Sequence, residues 1–259
     1  MKKIILFIAG AMAMLTAWGA PKIDKHVGEI AGGYNFWLVT PEDTVEAKPL
    51  IIFLHGASLK GNDLNKVKRY GTLDAVLKGR EIDAYVVAPQ VPSGSWEPAK
   101  IKQVLDYVVE NNNVDENRIY VTGMSLGGYG TLDFAAAYPD VVAAAAAFCG
   151  GATRKDLSGL NEVPLWIVHG TADTAVPIDR SDKVAGAIKE VDKKAPRLSY
   201  DRVPGMNHSR PARIFYLPDL YEWLFAHRLD DEGRPMQKQP VKINDSTLGR
   251  AYQGINFKK

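Results

Sequence analysis

The 259-residue sequence has one cysteine, almost no net charge and no apolar run as long as the ~20 residues of a membrane helix. A single cysteine, Cys149, cannot close an internal disulfide, so the core must supply the stability. Without Lys2 and Lys3, the 32 basic residues fall to 30 and equal the 30 acidic ones, so charge gives no reason to expect nucleic acid or anionic lipid as a partner. A composition that is 46% hydrophobic and 24% charged excludes disordered, collagen-like and polytopic membrane proteins.

The first twenty residues have the pattern of a secretory signal peptide. Lys2 and Lys3 precede a short apolar run at 4–15, and small residues follow up to Ala20. We therefore predict a signal peptide over residues 1–20, export to the periplasm or the medium, and no stable membrane insertion after cleavage. A retained N-terminal anchor is the alternative.

In the rest of the chain, short apolar runs alternate with stretches of helical spacing. An early, antiparallel strand is predicted at 35–39, further strands at 50–54, 84–88, 118–121, 142–148, 165–168 and 198–203, and helices at 101–109, 126–138, 178–191 and 213–227. Strands that are apolar throughout are buried on both faces, as in a parallel sheet covered by helices. The sequence thus predicts one α/β domain over residues 21–229, with a doubly wound, mostly parallel sheet and helices on both faces. The polar stretch 230–259 predicts a surface tail.

The strongest motif is Gly123-Met124-Ser125-Leu126-Gly127, which fits G-x-S-x-G between a predicted strand and a predicted helix. A serine in this turn has a strained backbone that exposes its hydroxyl, and side chains at the two flanking glycines would collide with the strand and helix. The following helix starts next to Ser125, so its positive end faces any developing oxyanion. The alternative is a glycine-rich turn whose serine is incidental.

A serine nucleophile needs a base, and the base needs a group that fixes its tautomer. His208 is the predicted base, because it lies in the loop after the last predicted strand. His26 is interpreted as a surface residue, and His227 as the last residue of a predicted helix. His55 and His169 stand at strand ends, where a structural role in supporting loops is expected.

Asp173 is the predicted acid, because it follows the strand at 165–168. Asp179 and Asp182 are rivals, but they fall at or in the next predicted helix. The order Ser125, Asp173, His208 is the order of α/β-hydrolases and differs from that of other triad folds.

Two N–H donors are needed for the oxyanion. Leu126, which follows the nucleophile, is one candidate, and Ala57 in the turn after the strand at 50–54 is the other, with Ser58 as second choice. Trp96 and Gln90 follow another strand and are predicted to line the substrate site. A tryptophan that packs on its own domain is an equally open interpretation.

On these residues the sequence resembles the α/β-hydrolase superfamily from about 35 to 228, and within it secreted esterases of the phospholipase/carboxylesterase and feruloyl-esterase-like group. The matching segments are Leu54-His55-Gly56-Ala57-Ser58, Gly123-Met124-Ser125-Leu126-Gly127-Gly128, Gly170-Thr171-Ala172-Asp173 and Gly205-Met206-Asn207-His208. The resemblance implies the α/β-hydrolase fold and ester hydrolysis through an acyl-enzyme at Ser125, with no metal and no organic cofactor. It implies small-molecule or oligosaccharide esters, of feruloyl or acetyl type, as substrates.

The chain departs from two groups within this superfamily. It lacks the His-Gly-Gly-Gly of the hormone-sensitive-lipase type, and it has serine where dienelactone hydrolases have cysteine. A serine peptidase of the prolyl-oligopeptidase type and an inactive binding module remain as alternatives, although no member of the triad is missing. The oligomeric state stays open.

Overall fold

The computed structural model describes residues 21–255, so the predicted signal peptide lies outside the described residues. The strands in this range are β1 (Lys22–His26), β2 (Asn35–Thr40), β3 (Lys48–Leu54), β4 (Tyr85–Gln90), β5 (Val114–Met124), β6 (Ala144–Phe148), β7 (Leu165–Gly170) and β8 (Leu198–Val203). The α-helices are α1 (Thr72–Leu77), α2 (Pro98–Asn111), α3 (Leu126–Ala137), α4 (Asp179–Val191), α5 (Pro218–Phe225) and α6 (Asp245–Gly249). Short 3₁₀ segments lie at Ala57–Leu59, Leu64–Arg69, Ser158–Glu162 and Arg210–Tyr216.

The eight described strands form one sheet in the order β1-β2-β4-β3-β5-β6-β7-β8. Strands β3 to β8 run parallel to one another, whereas β2 pairs antiparallel with both β1 and β4. The predicted antiparallel strand at 35–39 is therefore confirmed. Strand β1 was not predicted, because an edge strand with the sequence KIDKH has no apolar pattern to reveal it.

Both faces of the sheet are covered, because successive residues of each buried strand point to opposite sides. Ile51 and Phe53 of β3 belong to one buried cluster, which includes side chains of α1, α5 and α6, whereas Leu50 and Ile52 belong to a second cluster, which includes side chains of α2, α3 and α4. All four of these β3 side chains are fully buried. The predicted α/β class with a doubly wound, mostly parallel sheet is confirmed. Among residues 21–255, the helices are too short or too polar to cross a membrane.

The helix predicted at 213–227 is interrupted in the structure. The 3₁₀ segment Arg210–Tyr216 ends at Leu217, which has an extended backbone, and α5 begins at Pro218. Proline has no N–H to donate and disfavours a helical backbone at the residue before it, so one continuous helix cannot form here.

The predicted surface tail is also corrected over its described part, residues 230–255. Ile243 and Leu248 are buried in the same cluster as Trp223 of α5. The Arg197 guanidinium donates hydrogen bonds to the carbonyls of Gly233 and Arg234. This segment therefore packs on the domain, and its polar composition concealed the few apolar side chains that anchor it.

Candidate active site

Ser125 lies in a sharp turn between β5 and α3, with a φ of +59° that L-residues rarely adopt. A Cβ at Gly127 would lie 1.8 Å from the Leu54 carbonyl oxygen, and a Cβ at Gly123 would lie 2.3 Å from the Gly127 oxygen. Backbone atoms cannot move away from such contacts as a flexible side chain can. Glycine is therefore required at both positions for the turn to close over β3.

We expect Gly127→Ala to lower the free energy of unfolding by about 3 kcal/mol or more, since the added methyl must displace the β3 backbone. Gly186→Ala on α4 is the matched control, because a Cβ added at this position would have no other atom within 4 Å. Alanine at this position is expected to raise the free energy of unfolding by about 0.5–1 kcal/mol, because alanine has a higher helix propensity than glycine. Urea unfolding of both variants measures this, and equal effects would contradict the packing argument.

Three side chains from distant parts of the chain meet beside this turn. The Ser125 Oγ lies 3.0 Å from His208 Nε2, and His208 Nδ1 lies 2.7 Å from Asp173 Oδ2. Because a carboxylate oxygen can only accept when ionised, Nδ1 carries the ring hydrogen in the neutral imidazole, which leaves Nε2 free to accept from the Ser125 hydroxyl. The Asp173 side chain is fully buried, and that of His208 is 27% exposed.

The Asp173 carboxylate is held by its own turn. Its Oδ1 accepts hydrogen bonds from the backbone N–H of Ala175 at 2.9 Å and of Val176 at 2.8 Å. Since both partners are donors, Oδ1 is committed to the turn and Oδ2 is left for His208.

The rival carboxylates are engaged elsewhere. Asp179 is half-exposed and pairs with Lys183 at 2.9 Å. Asp182 accepts a hydrogen bond from the Tyr200 hydroxyl and forms an ion pair with Arg202, both at 2.9 Å. These partners leave neither carboxylate in contact with the His208 ring.

A cavity of about 660 Å³ opens at Ser125, with Ala57, Ser58, Leu126 and His208 in its wall. The Gly56 N–H donates to the Tyr70 hydroxyl at 2.7 Å. Among the described residues, no acceptor is recorded for the N–H of Ala57 or of Leu126, both at the first position of a helical segment. The two predicted oxyanion donors thus border the cavity with N–H groups that no protein acceptor occupies.

Known proteins share this organisation. Residues 90–212, which include Ser125, Asp173 and His208, match the model of the Dienelactone hydrolase family. A crystal structure of a thermostable esterase superposes with a TM-score of 0.66 at 24% identity, covering 81% of this chain and 63% of that one. The chain has the α/β-hydrolase fold.

The chain is also similar in sequence to a polyester depolymerase and to an esterase. It is 28% identical over 171 residues to poly(3-hydroxyalkanoate) depolymerase C of Paucimonas lemoignei, which covers 58% of this chain and 40% of that one. It is 23% identical over 158 residues to feruloyl esterase B of Talaromyces funiculosus, which covers 57% of this chain and 44% of that one. The chain thus spans less than half the length of these two relatives.

The two residues predicted to contact substrate differ in their placement. Trp96 is almost buried, and its indole N–H donates to the His55 carbonyl at 3.1 Å. It borders a smaller cavity of about 210 Å³, which shares Leu126 and Tyr129 with the larger one.

The structure places Gln90, the other residue predicted to line the substrate site, away from both cavities. Gln90 is buried and borders neither cavity. Its amide nitrogen donates to the carbonyls of Leu59 at 2.7 Å and Asp63 at 2.9 Å. The side chain is therefore used to hold the loop after β3.

Sequence reasoning missed two aromatic residues that border the larger cavity, Tyr70 and Tyr129. Tyr129 lies one turn after Ser125 on α3, and its N–H bonds to the Ser125 carbonyl, so helical spacing could have placed it beside the nucleophile. Tyr70 follows the 3₁₀ segment Leu64–Arg69, whose sequence has no hydrophobic periodicity from which its position could be predicted.

Cys149, which follows β6, is buried and has a φ of +40°. Its thiol donates to the His208 carbonyl at 3.7 Å, and burial raises the pKa of the thiol. This contact joins the end of β6 to the loop that carries His208.

The buried His55 has the structural role expected of it. Its Nε2 accepts from the Val91 N–H at 3.2 Å, so Nδ1 carries the hydrogen and donates to the Gly56 carbonyl at 2.7 Å. Protonation of Nε2 would break the first bond, and burial lowers the pKa of His55 from 6.5 to about 4.

We expect stability to decrease with acidification between pH 6.5 and about 4. In this range the unfolded chain binds a proton at His55 that the folded chain does not bind, so the free energy of unfolding falls as pH falls, by up to about 3 kcal/mol. Urea unfolding of the wild type and of His55→Gln at pH 7 and pH 4.5 measures it. The variant should be less stable at pH 7 but less sensitive to acid, and a pH-independent difference between the two would contradict this assignment.

Proposed function

We propose that the protein is an exported serine hydrolase of carboxylic esters that works through an acyl-enzyme at Ser125. The observation that carries the proposal is the continuous chain of hydrogen bonds from Ser125 Oγ through His208 to Asp173. A hydroxyl with a base at 3.0 Å, whose other nitrogen faces a buried carboxylate, is the arrangement that activates a serine.

Acylation begins when Ser125 Oγ attacks the ester carbonyl carbon and His208 Nε2 takes the hydroxyl proton. The Asp173 carboxylate stabilises the imidazolium that forms, and the N–H groups of Leu126 and Ala57 donate to the oxyanion. When the tetrahedral intermediate collapses, the C–O bond to the alcohol breaks and His208 returns the proton to the departing oxygen. A water molecule then repeats these steps on the acyl-enzyme and releases the acid.

The substrates are carbohydrate-linked esters of feruloyl or acetyl type. The similarity to feruloyl esterase B supports this class of substrate. Because the chain is also similar to a poly(3-hydroxyalkanoate) depolymerase, 3-hydroxyalkanoate esters are the alternative substrates to be tested. His208 borders only the larger cavity, so the alcohol that it protonates leaves through that cavity. The acyl group then extends past Leu126 and Tyr129 towards Trp96. The signal-peptide pattern of residues 1–20 supports export.

We expect a feruloyl ester and an acetylated sugar to be hydrolysed with a kcat/KM at least 100-fold above that of a peptide p-nitroanilide. This margin corresponds to about 2.7 kcal/mol of differential transition-state stabilisation. The measurement is a panel of methyl ferulate, acetylated xylobiose, a 3-hydroxybutyrate trimer and alanyl p-nitroanilide, together with labelling by a fluorophosphonate probe.

Each alternative has its own signature in this panel. Preference for the anilide indicates a peptidase, and preference for the 3-hydroxybutyrate trimer refutes the carbohydrate assignment while leaving the ester hydrolase intact. Absence of both labelling and turnover indicates an inactive binding module and refutes the proposed function.

A further inference from the structure

A second imidazole contacts the carboxylate of Asp173. The His169 ring, fully buried at the end of β7, places its Nε2 3.3 Å from Asp173 Oδ2 and 2.9 Å from the Val176 carbonyl oxygen. Both neighbours are acceptors, so Nε2 carries a hydrogen, which it donates to the Val176 carbonyl while the Asp173 carboxylate lies beside it. Asp173 Oδ2 thus accepts a hydrogen bond from His208 and lies in electrostatic contact with the N–H of His169.

The His169 ring has a fixed orientation. Its Nδ1 carries no hydrogen in this neutral tautomer and accepts from the Ser181 hydroxyl on α4 at 2.7 Å. The ring is therefore held by the end of β7 and by α4, and its N–H points towards Val176 and Asp173. A donor whose ring is fixed in this way can determine where its acceptor lies.

The turn after Asp173 closes into a ring of polar contacts through His169. The Val176 N–H donates to Asp173 Oδ1, and the Val176 carbonyl accepts from His169 Nε2, which also contacts Asp173 Oδ2. Both carboxylate oxygens are thereby fixed, which leaves a single orientation in which Oδ2 faces His208. Without the His169 donor, Oδ1 would still be held, but Oδ2 would lose one of its two partners.

We propose that His169 is a positioning residue that holds Asp173 in the orientation in which it fixes the tautomer of His208; this rests on the proposed function. His169 does not reach the reacting atoms and acts through the carboxylate. It extends the Ser125–His208–Asp173 chain by one buried imidazole, which the triad pattern alone does not require.

Three substitutions separate this role from simple core packing. The amide of a glutamine can reach the place of Nε2, the amide of an asparagine can reach only that of Nδ1, and phenylalanine keeps the ring without a donor. On p-nitrophenyl acetate, we expect His169→Asn and His169→Phe to lower kcat by about 10²-fold with little change in KM, the size of effect that misplacement by about 1 Å produces. His169→Gln should retain kcat within about 10-fold of wild type, because it restores the donor.

The decisive measurement is a double-mutant cycle with Asp173→Ala. If His169 acts through the carboxylate, His169→Asn has no further effect on kcat once that carboxylate is gone. In the proton NMR spectrum, the His208 Nδ1–H resonance should shift in His169→Asn and stay near its wild-type position in His169→Gln.

The matched control is His227→Gln, which alters another fully buried histidine that borders neither cavity. His227 Nδ1 donates to the Trp223 carbonyl at 2.8 Å and its Nε2 accepts from the Gln237 N–H at 3.1 Å. This variant should lose thermal stability without losing kcat.

Equal kcat for the Gln and Asn variants, or an undiminished loss in the Asp173→Ala background, would overturn the inference. Those results leave the proposed function intact, whereas turnover that survives Ser125→Ala removes the proposed function itself.

Discussion

Turnover of p-nitrophenyl acetate is expected to fall by about 10⁴- to 10⁶-fold when Ser125 is replaced by alanine. The Ser125 Oγ is the atom that lies 3.0 Å from His208 Nε2, so its removal leaves the base with no hydroxyl to activate. The N–H groups of Leu126 and Ala57 remain and account for residual turnover above the rate in water. Labelling by a fluorophosphonate probe should disappear together with turnover.

A serine outside the cavities provides the control for this experiment. Ser246 is exposed on α6, and Ser246→Ala should keep both turnover and labelling. Urea unfolding distinguishes lost chemistry from lost structure, because the Ser125 hydroxyl contributes only one hydrogen bond to the partly exposed His208. Retained labelling in Ser125→Ala would mean that another residue is the nucleophile.

The central part of the fold could be predicted because its strands are buried on both faces. The run at 50–54 is apolar throughout and lies in β3, and the run at 165–168 lies in β7. A strand that is buried on both faces has an uninterrupted apolar run, which can be seen in the sequence alone. Strand β1 is paired only along one edge, and α1 has six residues, too few to show a helical period, so neither shows such a pattern.

Segments stabilised by distant carbonyls could not be predicted. Arg80 donates to the carbonyls of Tyr216, Ala251 and Gln253, which joins the loop after α1 to the C-terminal segment. An arginine that bonds backbone groups more than 130 residues away has no local signature. For this reason a polar segment that packs on the domain was interpreted as a surface tail.

Within the candidate site, the sequence could indicate positions but not side-chain directions. Ser125, Asp173 and His208 were predicted because each follows a strand of the parallel sheet, and the carboxyl ends of such strands share one edge. Gln90 also ends a strand, yet its amide turns towards the carbonyls of Leu59 and Asp63. The choice between Ala57 and Ser58 as an oxyanion donor stays a prediction, because both border the same cavity.

Replacing Asp173 with asparagine is expected to lower kcat by about 10⁴-fold. The backbone N–H groups of Ala175 and Val176 both require an acceptor, so the asparagine oxygen must take the place of Oδ1. Its NH₂ group then occupies the place of Oδ2 and donates to His208 Nδ1. The ring hydrogen moves to Nε2, where it faces the Ser125 hydroxyl, and the base can no longer accept a proton.

Asp179→Asn and Asp182→Asn are the matched controls, because they alter the two rival carboxylates in the same way. Both should leave kcat close to that of wild type, since their partners are Lys183 for one and Tyr200 and Arg202 for the other. The His208 proton spectrum provides a second measurement: its Nδ1–H resonance should vanish in Asp173→Asn only. An active Asp173→Asn beside an inactive Asp182→Asn would mean that the acid comes from α4, and that the 2.7 Å contact between Asp173 and His208 plays no part in the chemistry.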